Sequence, residues 1–312
     1  MKGLYFKRTL TYREDLSLPK IDSNESLIKI VLAGICNTDR EIIKGYKPGF
    51  QGVLGHEFVG EVVKSSNPSL IGQRVVGELN KGCGQCFYCK RQLSRHCLDR
   101  KIIGMSIDGC FAEYMAISTD LLHIIPKNLS NEKALFTEPL AAAISIIDTG
   151  HIKPTDHIAI VGDGRLAFMI AQVLALSGSN LTIVGRHQTK LDQFRSFAKT
   201  ALEAECPTPQ QFDIVIEATG SPSGMKNAMK LVRSFGEIIV KSTYEEALTL
   251  DFSEIVVREI KVRGSRCGPF EPALKLLAGN FIKFPKIDLF ELHDYKRAFA
   301  SKAFKSGFII SD

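Results

Sequence analysis

The stretch HIAIVGDGRLAFMIAQVLALSG, residues 157–178, leaves few folds open to a chain that contains it. His157 to Gly162 is a short apolar run of strand length, and it enters a glycine-rich turn. Leu166, Ile170, Val173 and Leu174 then recur at helical spacing until Gly178 ends the helix. LTIVG (181–185) supplies a second strand. Strands joined by a helical crossover run parallel. FDIVIEATG (212–220), GEIIVKS (236–242) and EIKVRGS (259–265) continue the pattern, and TALEA after Lys199 reads as a brief strand. A parallel sheet with helices on both faces is therefore predicted over 141–265.

Gly162, Gly164 and Ala167 match the spacing G-x-G-x-x-G/A. The first glycine permits a tight turn, the second lets backbone approach a pyrophosphate, and the small third residue lets the helix pack close to its strand. The pyrophosphate would rest on the free amides of the helix N-terminus. Alone the motif is weak, but its place between a strand and a helix is the setting that supports it. An acid at the end of the second strand would bind the ribose 2′-hydroxyl of NAD. Gly185 stands there instead, followed by Arg186 and Lys190, and a guanidinium is a bidentate partner for a phosphate. NADP(H) is predicted over NAD(H). The alternative for Arg186 is a solvated residue at a helix start.

Residues 1 to about 125 read differently, as short strands broken by glycine and proline. SLIKIVLAG (26–34), FVGEVVKSS (58–66), RVVGEL (74–79) and FAEYMAIS (111–118) predict an antiparallel β domain. Within it, GICNTDREIIKGYKPGFQGVLGHE (34–57) holds Cys36 and the pair His56-Glu57. Thiolate and imidazole are preferred zinc donors, and a catalytic zinc takes three protein ligands and keeps one position open. Glu138 in TEPLA is the candidate third ligand. For one cysteine and one histidine taken alone, a buried thiol and a packed loop imidazole is the commoner explanation.

Cys83, Cys86, Cys89 and Cys97 follow with the spacing C-x2-C-x2-C-x7-C. Four thiolates so close can close a tetrahedron around one zinc, and a closed site is structural. The spacing differs from bacterial ferredoxins, whose fourth cysteine comes three residues after the third and precedes proline. Lys81, Lys90, Arg91, Arg95, Arg100 and Lys101 surround the motif against the single acid Asp99, and are read as partial compensation of the thiolate charge rather than a nucleic-acid face. Cys110, Cys206 and Cys267 are read as small buried hydrophobes.

Composition narrows the classes. The chain has 312 residues, 45% hydrophobic and 24% charged, enough for a large core and two domains. The net charge of +6 is weak evidence for an anionic polymer partner. MKGLYFKRTL lacks the apolar core of a signal peptide, and no apolar run reaches the roughly 20 residues of a membrane span. A cytoplasmic protein with no membrane or nucleic-acid partner is expected. Thiols there stay reduced, so eight cysteines point to metal or catalysis.

GICNTD, GHEFVGEV, the four-cysteine lobe, GCFAEY, TEPLA, GDGRLA and EATG occur in one order along nearly the whole chain. Together they resemble the zinc-containing medium-chain alcohol dehydrogenases, on the polyol and threonine dehydrogenase side. The resemblance implies a fold of α/β plus β type: a GroES-like catalytic domain over 1–140 with its zinc lobe at 81–101, a Rossmann coenzyme domain over 141–265, and a return to the catalytic domain over 266–312. It implies two zinc ions per chain, an alcohol or carbonyl substrate, and a homodimer or homotetramer. It places Cys36 and His56 on the catalytic zinc and Glu57 beside it, with Glu138 as third ligand directly or through water. On that basis Thr38 would accept the substrate proton and Asp39 would orient His56. Thr38 and Asp39 are also what the first turn of a helix would carry. The chain departs from the family in its short 36–56 loop, in the missing ribose-binding acid, and in Glu41, which stands where many members end a proton relay with histidine. Two other functions remain open at this point: a zinc-free quinone or enoyl reductase, and a non-catalytic sensor of nucleotide and zinc.

Overall fold

The computed structural model describes residues 1–148, 150–205, 209–244 and 247–311, so Cys206 lies outside the described residues. The chain forms two compact units, Met1–Glu138 with Phe270–Asp312, and Pro139–Pro269.

In the second unit six strands form one sheet with every neighbouring pair parallel. From one edge to the other they are Lys199–Leu202, Asn180–Gly185, His157–Val161, Phe212–Glu217, Val232–Val240 and Lys261–Gly264. The order doubles back at His157–Val161: the chain runs outward on one side, then crosses over to Phe212–Glu217 on the other. Such a reversal opens a crevice at the carboxyl ends of the strands, where ligands of this architecture sit. The helix Arg165–Ala175 is apolar nearly all round and buries every residue from Ala167 to Leu174. That is the behaviour of a helix covered on most sides, and it packs on His157–Val161 and Asn180–Gly185. The crossover after Gly185 is short, a four-residue helix Gln188–Leu191 followed by a 3-10 turn Asp192–Phe194.

The first unit is built on a seven-stranded sheet whose central strand is Glu25–Gly34. Its alternating burial fits a strand with one face on the core. It pairs antiparallel with Glu57–Ser65 in a register that sets Gly34 opposite Glu57 and Ala33 opposite Phe58. The end of one strand therefore meets the start of the other, and Cys36 and His56 leave the sheet at the same edge. The amino-terminal hairpin Gly3–Lys7 and Thr9–Arg13 forms a small separate sheet with Gly52–Val53.

The carboxy-terminal segment corrects two sequence expectations. The sequence predicts helices over FEPALKLLAG (270–279) and HDYKRAFASKAF (293–304); Phe270–Ala278 is helical, but the second helix stops after Tyr295–Ala300. Lys305–Ile309 is instead a buried strand added to Glu25–Gly34, with Gly307 opposite Gly34. Its other neighbour, Ile287–Glu291, runs parallel to it, so this sheet is mixed rather than wholly antiparallel.

Candidate metal centres and coenzyme site

Cys36 caps the helix Asn37–Lys44, and Asp39 closes the first turn by accepting the Cys36 amide at 2.8 Å. This capping box fixes where the thiol points. Gly45 ends the helix in a left-handed conformation, φ 113°. Ligand atoms of Cys36, His56 and Glu57 all lie within 4.8 Å of one another. Asp39 is fully buried, with Oδ1 3.6 Å from His56 Nδ1. At that separation both atoms are buried without a hydrogen-bond partner, which is how an imidazole poised to tighten on a metal would look. Burial favours neutral His56, but Asp39 and then Cys36 outweigh it and hold its pKa well above the ordinary value. A thiolate, an imidazole and a carboxylate in one buried pocket suit Zn²⁺.

Sequence reasoning missed Lys305. Its ammonium is buried against the Glu57 carboxylate and donates to the Ile35 carbonyl at 3.3 Å. Gly34 makes room for this pair: a Cβ there would come within 2.6 Å of Glu57 Oε2 and 2.8 Å of Lys305 Cε. The signal lay in the carboxy-terminal AFKSGFII, whose Lys305 opens an apolar strand, but nothing local says which strand it joins. Cys110, also buried, donates to the Glu57 carbonyl at 3.5 Å, and burial pushes its thiol pKa up. Cys267 is half-buried, not fully buried as read from the sequence. Thr38 is half-buried, its Oγ1 3.6 Å from Cys36 Sγ. Glu41 pairs with Lys44 at 3.0 Å, as a surface acid of a first turn would. Glu138 is half-buried near the start of the Thr137–Asp148 helix and is not among the three clustered residues.

The second cluster is Cys83, Cys86, Cys89 and Cys97, again with all sulfurs within 4.8 Å. Two short 3-10 turns, Cys89–Arg91 and Ser94–His96, fold the lobe back on itself. Amides of Cys83 and Cys86 point at Cys97 Sγ and Cys83 Sγ, at 3.3 and 3.4 Å. Backbone donors hold the Cys86 thiol at about 6, while burial pushes Cys89 to about 11. Four sulfurs converging with amides aimed at them fit a closed four-thiolate zinc site. The surrounding cations do not all face the sulfurs: Lys81 pairs with Glu25 at 2.7 Å, and Arg91 lies 3.7 Å over the Phe87 ring.

In the second unit the turn 162–167 has the form a pyrophosphate needs. Gly162 has φ 130°, and a Cβ on it would lie 2.7 Å from the Ala218 carbonyl. Gly164 caps the Arg165–Ala175 helix with no side-chain cap bond, and a Cβ on it would point into open space. The helix thus offers bare amides to an anion. Ala167 is fully buried. Gly185 has a reason of its own: a Cβ would come 2.7 Å from Asp163 Cβ and 2.9 Å from Leu191 Cδ2. Asp163, the residue between the two glycines, reaches across to the end of the second strand. It accepts the amides of Arg186 and His187 at 2.9 and 2.8 Å and faces Lys190 at 3.7 Å. Arg186 is also held, its Nε donating to Glu203 at 2.6 Å. Neither acid was found from the sequence, because one comes from the glycine-rich turn and the other from the 3-10 turn Glu203–Glu205 just after the third strand.

Two family models match: the alcohol dehydrogenase GroES-like domain over residues 22–127 and the zinc-binding dehydrogenase domain over 166–279. D-arabitol-phosphate dehydrogenase of Enterococcus avium is 30% identical, spanning 91% of this chain and 88% of that one. L-threonine 3-dehydrogenase of Bacillus licheniformis is 30% identical, spanning 80% and 78%. Among solved structures, a zinc-binding dehydrogenase of Sinorhizobium meliloti bound to NADP matches with TM-score 0.90 and 25% identity over 99% of this chain and 98% of that one. These matches and the two sites make the chain a member of the zinc-containing medium-chain alcohol dehydrogenase family. It is an oxidoreductase that moves hydride between an alcohol and a nicotinamide coenzyme, on a GroES-like domain and a Rossmann domain, with zinc. No helix among the described residues is long and apolar enough to cross a membrane.

Proposed function

We propose that the enzyme oxidises a polyol or a related vicinal alcohol with NADP(H), using one catalytic zinc at Cys36, His56 and Glu138 and one structural zinc at Cys83, Cys86, Cys89 and Cys97. The observation that carries the reading is the gathering of Cys36, His56 and Glu57 around one point with Asp39 behind the imidazole. When bound, zinc supplies Lewis-acid polarisation of the alcohol oxygen, and the nicotinamide accepts the hydride. Cys36 brings one negative charge. Glu57 brings another, but Lys305 already balances it. A further carboxylate is needed for a near-neutral site, and Glu138, in the first turn of its helix, is the residue assigned to it. Asp39 Oδ1 stands 3.6 Å behind His56 Nδ1, and on closing to hydrogen-bond distance it would accept from that nitrogen and fix the ring with Nε2 forward. Thr38 Oγ1 takes the proton of the substrate hydroxyl and hands it to solvent, and Glu41, occupied by Lys44, takes no part.

Gly185, Arg186 and Lys190 support NADP(H), because the second strand itself ends without an acid to repel a 2′-phosphate. The polyol assignment leans on relatives such as D-arabinitol dehydrogenase 1 of Uromyces fabae, 29% identical. A homodimer is supported by the outermost strand of the parallel sheet, Lys261–Gly264, and the helix before it. There Phe252, Val256 and Val257 are 71%, 73% and 81% exposed. An unpaired edge beside exposed large apolar residues is what a self-associating surface presents.

The test is a screen of polyols, sugar alcohol phosphates, amino alcohols and simple alcohols with NADP and NAD, beside zinc analysis. Two zinc ions per chain with turnover of a polyol are expected. One zinc per chain would favour the zinc-free reductase, and two without turnover on any alcohol would favour a sensor.

A further inference from the structure

Arg186 is already occupied. Its Nε donates to Glu203 Oε2 at 2.6 Å and its Nη2 to Ser223 Oγ at 2.6 Å. Glu203 is held from its other oxygen by Asn227 Nδ2, also at 2.6 Å. The sheet explains the meeting. Leu202 pairs with Gly185 across a parallel ladder, so Glu203 and Arg186 leave neighbouring strands side by side at the carboxyl edge. Ser223 and Asn227 lie one turn apart on the Pro222–Leu231 helix and close the cluster from beyond.

The two acids at this edge differ in what they can do. Asp163 is 11% exposed, and its Oδ2 accepts the Arg186 amide, the His187 amide and His187 Nδ1. It is built into the turn. Glu203 is 31% exposed and sits on the guanidinium itself. A 2′-phosphate arriving at Arg186 must displace this carboxylate or lie beside it as a like charge, whereas a 2′-hydroxyl carries no charge to repel.

Resting on the coenzyme site described above, we propose that Glu203 is a specificity-determining residue: a carboxylate supplied by the turn just after the third strand that takes the place of the missing second-strand acid and limits the advantage of NADP(H) over NAD(H) by holding Arg186. The preference set by Gly185 and Arg186 is thereby kept small, and the enzyme accepts both coenzymes.

The experiment is a fluorescence titration of the intact enzyme with NADPH and NADH, aided by the absence of tryptophan in the chain. The wild type, Glu203→Gln, Arg186→Ala and the double variant are compared, and 2′,5′-ADP serves as a competitor that carries the phosphate without the nicotinamide. Glu203→Gln is expected to shift the ratio of the NADH to the NADPH dissociation constant toward NADPH by about fivefold or more, the scale of losing one partly exposed ion-pair competitor. 2′,5′-ADP should tighten in step, and the shift should vanish in the Arg186→Ala background. A ratio within about twofold of wild type in Glu203→Gln, or an equal shift without Arg186, overturns the proposal while leaving the coenzyme site intact. Failure of the wild type to bind either dinucleotide overturns the coenzyme site and this proposal together.

Discussion

Replacing Lys305 by methionine tests the buried pair beside the candidate metal cluster of Cys36, His56 and Glu57. The Lys305 and Glu57 side chains are 3% and 2% exposed, so neither charge can turn to water when its partner is removed. Breaking such a pair costs about 3–5 kcal/mol, because a buried charge is left uncompensated. The Ile35 carbonyl also loses its donor, adding about 1 kcal/mol. Methionine keeps the apolar stem, so lost packing contributes little. At about 2–4 °C per kcal/mol, the melting temperature at pH 7.5 should fall by roughly 10 °C. Adding Glu57→Gln should restore most of the stability, since the orphaned charge is then gone. Thermal melts at pH 7.5 measure both effects. A single variant within about 1 kcal/mol of wild type at pH 7.5 would refute the reasoning, and would assign the compensation of Glu57 to the metal.

Four further outcomes are expected. Cys36→Ser should lower zinc content by one ion per chain and turnover by at least about a thousandfold, whereas Cys83→Ser should remove the other zinc and lower the melting temperature, both read by metal analysis. Asp163→Asn should cost about 1–3 kcal/mol at neutral pH, measured by denaturant unfolding. Burial raises the Asp163 pKa, but His187, Arg186 and Lys190 outweigh it and hold it below the usual carboxylate value, so its stabilisation is present above the unfolded pKa and fades as pH falls through the folded one. Tyr244→Phe should cost a similar amount, because Glu217 is fully buried and loses the phenol that donates to its Oε2 at 2.5 Å. Val257→Asp should halve the mass seen by light scattering without unfolding the chain, and an unchanged mass would reject the edge-strand dimer.

The parallel sheet was legible because its signals are local. The apolar run at 157–162, the turn at Gly162 and the helical spacing after it each specify their own geometry. The clustering of the four cysteines was legible for the same reason, their spacing being short enough to bring the sulfurs together. What the sequence hid were partners fixed by pairing register. Glu57 and Lys305 are 248 residues apart and meet only because Glu57–Ser65 and Lys305–Ile309 flank the same central strand. Glu203 meets Arg186 through a ladder between strands that a single sequence cannot align. The helix predicted over 293–304 failed at its end, where Ser301 turns extended and the chain enters a strand that local propensity does not announce.

The strand Lys305–Ile309 also sets a schedule. Lys305 donates to a carbonyl 270 residues earlier in the chain. At the roughly 5–20 residues per second of synthesis, a nascent molecule carries Cys36 and His56 for tens of seconds before the ammonium that neutralises Glu57 has been made. During that interval Glu57 lacks its partner, so charge balance beside the candidate metal cluster waits until the strand Lys305–Ile309 has been laid down.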